Sequence, residues 1–527
     1  MNVMPGLSRL FQDFSSGAEA VRGFYASLPP STDWQQQPPV PAHRLELVQL
    51  LATQNTSPTS AVPLEALRQG AGVVVTGQQV GLFGGPLYTP LKAATALARA
   101  RQATAAGKQH VGIFWLATED HDFAEINHVV FPAQRALRKL TYSSFPVTPC
   151  PVGGVLLDET ITPLLDEAWE LLGASDATEA LAAAYRPGRT FAQAFAEFYS
   201  RAFAAEGLLT IDASGREFHR LGAPVLRAGI ERADELHAAL LERNKELAAA
   251  GYHAQVAVGE QNSLLFLLDQ QSGARLALKR LVASKAEPAG IWLAGRKSYS
   301  TAELLGILEA EPERISPSAL LRPVFQDFLL SSSLIVGGPA EVAYFAQSAV
   351  LYERILGRKT AAEGRFSATL IEPAIGDLLR QHDLPLERVF AETPDGLAQL
   401  FAARSLPVEE KKKLAAAGSA LEAELVPLLE WMGALDEGLG RSATTAASKM
   451  RYQMGRLRRL AANFQLQREA QFSRHAEAIS LALYPAATLQ ERVHGAAYYF
   501  ARYGFELAGE MTTRAGNVAP GHTAIWL

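Results

Sequence analysis

The chain has 527 residues, 48% of them apolar, with a formal net charge of −5 and a mean hydropathy of +0.03. That length exceeds one ordinary core and predicts two or three domains, while a pI near 6.2 gives no general electrostatic reason to bind nucleic acid. No run of about 20 apolar residues suits a membrane span, and residues 1–14 carry Arg9 but no apolar signal core. A cytoplasmic protein that engages neither membrane nor nucleic acid is expected.

In chain order, residues 29–41 are rich in Pro and Gln and read as a surface connection after an N-terminal helix. The apolar run Val73-Val74-Val75 then stops at Thr76-Gly77-Gln78-Gln79, followed by Gly84-Gly85-Pro86 and a helical pattern containing Tyr88 and Lys92. A second run, residues 111–118, stops at Glu119-Asp120-His121-Asp122. Further short apolar runs at 207–212, 264–268, 290–293 and 334–337 alternate with Ala-rich helical stretches, which favours an α/β fold with a parallel sheet. Ligands of such sheets collect outside the carboxyl ends of the strands, so both clusters should face one crevice built for negatively charged small molecules. Residues 255–258, read with 264–268, predict a hairpin with its loop at 259–263, and so a smaller β-rich subdomain.

Gly84-Gly85-Pro86 permits close backbone approach, and Pro86 suits the first helical position, whose amide has no partner anyway. The free amides of that helix start would favour a carboxylate or phosphate, with Lys92 about two turns on. The pattern recurs as Gly337-Gly338-Pro339, followed by Ala340 and Glu341 and a helix through residue 356. The 119–122 cluster reads as a general base, as Mg²⁺ ligands beside a nucleotide, or as contacts to an amine. The competing reading is an acidic helix start capped by Thr118 or Asp120, with Glu125 nearby. Asn127 lies close in sequence, and His128 reads as structural. Arg322, before a helix containing Gln326, would either grip a carboxylate with two hydrogen bonds or form a surface ion pair. Cys150, the sole cysteine, lies between two prolines with no basic neighbour and reads as an inert loop thiol. No Walker loop, nucleophile elbow or zinc-protease motif is present.

From about residue 407 the texture changes. Leu421, Leu425, Leu428, Met432, Leu435 and Leu439 keep heptad spacing, and Met450, Met454, Leu457, Ala461 and Phe464 repeat it after a break near 438–442. Two long helices in an antiparallel coiled-coil arm are predicted, structural or dimerising, with a kink or restart at Pro427. The basic run 449–459 reads as a solvated or partner-facing surface, or alternatively an anion patch.

The blocks Thr76-Gly77-Gln78-Gln79-Val80-Gly81-Leu82, Gly84-Gly85-Pro86-Leu87-Tyr88 and Trp115-Leu116-Ala117-Thr118-Glu119-Asp120-His121-Asp122 resemble the bacillithiol biosynthesis cysteine-adding enzymes, the BshC family. The likeness continues through Leu320-Leu321-Arg322-Pro323, Gly337-Gly338-Pro339-Ala340-Glu341-Val342-Ala343-Tyr344, and Leu483-Tyr484-Pro485 with Gln490-Glu491-Arg492-Val493. Ala340 departs from the pattern, in which a Gly precedes the Glu. The resemblance implies a Rossmann-like core with inserted connecting subdomains, and a coiled-coil arm that pairs two subunits as a homodimer. It also implies a ligase that joins L-cysteine to the amine of glucosaminyl malate. The boundaries follow as a core over 1–406 with insertions near 140–290, an arm over 407–475, and a segment over 476–527 that returns to the core.

Amide formation from a free carboxylate needs activation, by ATP or another nucleotide, with Mg²⁺ as its companion. His121 or a neighbouring carboxylate, Glu119, Asp120 or Asp122, is expected to deprotonate the attacking amine. Two alternatives remain open: a metal-dependent hydrolase using the 119–122 cluster, and a non-catalytic nucleotide-binding dimer that organises other enzymes.

Overall fold

The computed structural model describes residues 7–133, 135–259, 261–281, 291–468, 470–517 and 521–527, and the chain divides into two compact units. The first comprises Met1–Ala133, Arg138–Ala368 and Glu491–Thr523.

Its centre is a five-stranded parallel sheet made of β1 (Gly72–Gln78), β2 (His110–Leu116), β3 (Leu209–Asp212), β4 (Ser332–Gly337) and β5 (Ala361–Gly364). The order is β5-β4-β1-β2-β3, with Thr76 paired to Val336 on one side and to Phe114 on the other. Val73, Val74 and Val75 are fully buried because helices cover both faces, and hence the run is continuous instead of alternating. Helix α1 (Tyr88–Ala105) packs on β1 and β2. The free edge of β3 is closed by side chains. Asn55 donates to Thr210 O and accepts from Thr210 N, both at 2.8 Å, and Gln54 does the same for Asp212 at 2.8 and 2.9 Å. Two amides thus satisfy the row of backbone groups that would otherwise invite another strand.

Between β3 and β4 the chain forms α2 (Arg216–Glu231) and an antiparallel sheet ordered Ile315–Pro317, Asn262–Leu268, Arg275–Leu281, Ile291–Ala294, Lys297–Tyr299. The β-rich subdomain is therefore present, but the predicted hairpin is not. Residues 255–258 are not a strand. Val256 spends its N–H and carbonyl on the Gln347 side chain, at 2.9 Å each, and Asn262–Leu268 pairs instead with Arg275–Leu281 and Ile315–Pro317. Glu260, in the expected loop, lies outside the described residues. Next come α3 (Arg322–Leu330), which leads into β4, and α4 (Pro339–Leu356), which leaves it.

The second unit holds Gln134–Leu137, Thr369–Gln490 and Ala524–Leu527, so residue 406 falls inside it and the returning segment of the first unit starts at Glu491. Helices Pro394–Ser405 and Gln471–Leu483 close a small core around Leu397, Phe401, Phe472 and Ile479. The arm consists of α5 (Val408–Leu435) and α6 (Glu437–Arg468) packed side by side. The break falls at Asp436, ahead of the expected 438–442, because its carboxylate accepts the Leu439 N–H at 2.9 Å and starts the second helix at once. α5 runs on through Pro427 without a restart. Leu425 and Ala447 are buried in the hairpin, whereas Leu428, Leu435, Met450, Leu457 and Phe464 remain 47–62% exposed. Among the described residues no helix is long and apolar enough to cross a membrane.

Candidate functional site

Strand order reverses between β1 and β4: from β1 the chain proceeds outward to β2, and later returns on the other side. At that switch the loops leaving the two strands diverge and leave a crevice. Here a cavity of about 480 Å³ opens, lined by Gly77, Gln78 and Gln79 from β1, Trp115 and Asp120 from β2, and Gly338, Ala340 and Glu341 from the start of α4. Tyr88, Lys92, Glu125, Arg322, Gln326, Tyr344, Arg365 and Arg492 also line it.

Its charges are mostly committed to one another. Lys92, buried at the wall, donates to Gly77 O at 2.7 Å and Gln78 Oε1 at 3.0 Å and pairs with Glu341. Three partners exhaust an ammonium's three donors, so Lys92 ties the end of β1 to α4. Burial lowers its pKa, opposed by Glu341. Glu341 also accepts the Gly338 N–H at 2.7 Å. Arg322 is bidentate, at 2.7 and 3.2 Å, but its carboxylate is the protein's own Asp120. Gln79 adds a donor to Asp120 at 3.3 Å. Burial would raise the Asp120 carboxyl, yet Arg322 and Arg275 outweigh it and hold it at about 2. Arg365 is neutralised by buried Glu491 at 2.6 and 3.0 Å. That leaves Arg492 and Glu125, both exposed, as the lining charges with no hydrogen-bond or ion-pair partner among the described residues.

Several expected residues stand elsewhere. Gly84-Gly85-Pro86 does not reach the cavity. Gly84 N donates to Tyr185 OH at 2.9 Å, Gly85 N to Leu82 O at 3.0 Å and Leu87 N to His494 O at 2.8 Å, so these three amides are not free for an anion. Pro86 precedes α1 by two residues and bridges Gly495 instead of opening the helix. Only the second Gly-Gly-Pro, with Pro339 at the first position of α4, faces the pocket. Thr76 is buried in the sheet and donates to Val336 O at 2.9 Å, and Gly337, the last residue of β4, is buried as well.

The 119–122 cluster is dispersed. Glu119 turns inward to His219 on α2, with Nε2 2.9 Å from Oε1. Burial raises Glu119 and lowers His219, but the ion pair between them reverses both, helped for Glu119 by the Arg275 and Arg322 guanidiniums and for His219 by backbone hydrogen bonds to Ile315 and Pro312, leaving Glu119 low and His219 high. His121 meets Arg275 at 3.3 Å, and burial and that guanidinium lower its pKa. Asp122, not Thr118 or Asp120, caps the short helix Phe123–Ile126 by accepting Ala124 N–H at 3.0 Å. Asn127 Oδ1 lies 3.1 Å from His128 Nδ1. Glu119, His121, Asp122 and Asn127 do not line the cavity. Among the described residues no three His, Cys, Asp or Glu side chains are placed to share a metal ion.

Arg275, Arg365, Arg492 and His219 were not marked by sequence reasoning. Arg365 directly follows β5, a position that points to the crevice once the strand is known. Arg492 lies in the Gln490-Glu491-Arg492-Val493 block that carries part of the family likeness, and it lines the same pocket. Arg275 and His219 have no local signal.

Family models match both parts of the chain: "Bacillithiol biosynthesis BshC, N-terminal Rossmann-like domain" over residues 2–356, and "Bacillithiol biosynthesis BshC, C-terminal coiled-coil domain" over residues 368–527. The chain belongs to the BshC family. A protein of Koribacter versatilis named "Putative cysteine ligase BshC" is 40% identical over 99% of this chain and 98% of its own. Proteins of the same name from Solibacter usitatus and Salinibacter ruber are 34% and 30% identical over 96% and 94% of this chain, and 94% and 92% of theirs. The motif resemblance and the Rossmann-like plus coiled-coil fold class are borne out.

Proposed function

We propose that this chain is the cysteine-adding ligase of bacillithiol synthesis, forming an amide between L-cysteine and the amine of glucosaminyl malate in the cytoplasm. The observation that carries the reading is the switch-point cavity, which presents Arg492 and Glu125, a cation and an anion unpaired among the described residues, to ligands that bear both carboxylates and an amine. Arg492 and the first-turn amides of α4 suit a carboxylate or phosphate, while Glu125 suits the ammonium.

Arg492 and the α4 amides would also hold the phosphates of ATP with its Mg²⁺, and a nucleotide bound there would supply activation of the cysteine carboxylate. The chain's own part is positional. Lys92 and Glu341 hold the pocket walls at fixed separation, and Arg322 keeps Asp120 ionised and still. Glu125 takes the amine's proton as the nitrogen attacks the activated acyl carbon. A C–N bond forms, and the bond to the activating oxygen breaks. The exposed apolar row on the arm, Leu428, Leu435, Met450, Leu457 and Phe464, supports a homodimer through this element.

The test is direct. Purified protein with L-cysteine, glucosaminyl malate and Mg-ATP is expected to yield bacillithiol by mass spectrometry, with Glu125→Gln strongly reduced. Absence of product with every common nucleoside triphosphate sinks the reading.

A further inference from the structure

The charges of the switch-point cavity are largely paired, but three neutral polar groups in its wall are not. Gln326 lies one turn after Arg322 on the same face of α3, is 7% exposed and lines the cavity, and its amide has no hydrogen-bond partner among the described residues. Tyr344 on α4 and Trp115 near the end of β2 line it as well, and neither the phenol hydroxyl nor the indole N–H has a partner among the described residues. Burial raises the Tyr344 pKa, so its hydroxyl keeps its proton at neutral pH. The carbon around these groups is apolar. Pro323 and Ile335 line the same cavity, and Trp115 and Ile335 belong to the core of the first unit.

A buried amide without a partner costs stability, whereas an apolar side chain of the same shape would pack there freely. Packing therefore does not account for Gln326, and a ligand that supplies the missing hydrogen bonds does. A carboxylate or an ammonium finds its counter-charge at Arg492 or Glu125, and a thiol is too weak a donor and acceptor to satisfy an amide. A sugar ring fits the wall. Each of its hydroxyls both donates and accepts, as Gln326 and Tyr344 do, a hydroxyl oxygen accepts from the Trp115 N–H, and the ring's C–H carbons suit the apolar surface between them. We infer that Gln326, Tyr344 and Trp115 form a subsite for the hydroxyls of an aminosugar ring, with Gln326 the residue that sets specificity for it. The identity of the sugar as the glucosaminyl group rests on the ligase reading, whereas the neutral character of the subsite does not.

Calorimetric titration of the full-length protein with glucosaminyl malate, L-malate, L-cysteine and Mg-ATP tests this. Gln326→Met, close in shape but lacking the amide, is expected to weaken glucosaminyl malate about tenfold, and Tyr344→Phe by about threefold, with the other three ligands unchanged within about twofold. Because the amide has no partner to lose in the free protein, the thermal midpoint of Gln326→Met should equal or exceed that of the parent.

Unchanged affinity for glucosaminyl malate in Gln326→Met overturns the subsite, and so does an equal loss for L-malate, which has no sugar. A loss confined to Mg-ATP places a nucleobase against the amide and overturns the sugar assignment. A midpoint lowered by several degrees shows the amide bonded within the protein and overturns the role of Gln326, leaving Tyr344→Phe to decide the rest of the wall. If the parent binds glucosaminyl malate but makes no bacillithiol, the ligase reading falls while the titrations still decide the subsite. If the parent does not bind it, both fall.

Discussion

Arg322 and Asp120 stand 202 residues apart in sequence and meet through two hydrogen bonds at 2.7 and 3.2 Å, with side chains only 18% and 25% exposed. Arginine's planar fork matches a carboxylate, which gives this contact directional as well as electrostatic strength. Removing one partner leaves a poorly solvated charge. Arg322→Ala is expected to lower stability by roughly 3 kcal/mol, and to reduce kcat/KM through displacement of Asp120. Arg322→Lys should recover part of the stability without the fork. Urea unfolding of the three proteins checks this, and indistinguishable midpoints would contradict it.

Arg492 presents the opposite case. It is exposed and unpaired among the described residues, so Arg492→Ala should leave the thermal midpoint unchanged. The expected effect is a KM for the anionic substrate raised about tenfold, or roughly 1.4 kcal/mol of binding, with kcat nearly constant. Steady-state kinetics with each substrate varied in turn would reveal which one it holds.

The buried Glu119–His219 pair gives stability a pH window. His219 is raised above 6.5, so its contribution is full below 6.5 and fades as pH rises through the higher folded-state value. Glu119 is lowered below 4.5, so its contribution is full above 4.5 and is lost as pH falls through the lower value. Stability from this pair should therefore be greatest between 4.5 and 6.5. His219→Gln is expected to flatten the decline on the alkaline side, as read from thermal midpoints across pH.

The first Gly-Gly-Pro is a packing element. Gly84 has φ +83°, and a Cβ there would lie 2.7 Å from the Phe198 ring. Gly84→Ala should cost about 2 kcal/mol or more, yet leave the KM of the folded fraction unchanged. A selective KM defect with normal stability would return this loop to the binding site.

On the arm, Leu457 is 55% exposed within a single chain. Leu457→Glu is expected to shift the protein from dimer to monomer in light scattering without loss of helix signal, because the intramolecular contacts at Leu425 and Ala447 are untouched. A dimer that persists in Leu457→Glu combined with Leu428→Glu would place the subunit contact elsewhere.

Much of this protein was legible in its sequence. Continuous apolar runs at 73–75 and 111–118, alternating with helical stretches, favoured strands buried on both faces, and heptad residues from 421 to 439 pointed to a long helix with one apolar stripe. The two Gly-Gly-Pro turns were equally visible, because backbone conformation at a turn depends on the residues within it. What they face did not follow from those letters. Whether an amide is free depends on a distant partner, and Tyr185 and His494 occupy the first loop while nothing among the described residues but Glu341 competes at the second. Likewise, four adjacent ionisable groups at 119–122 look like one site, yet an extended loop sends successive side chains in different directions. Glu119, Asp120 and His121 each found an arginine or histidine from an element that local spacing cannot place beside them. Secondary structure is a property of neighbours along the chain, whereas the partner of a buried charge is chosen only when the sheet and its insertions close around it.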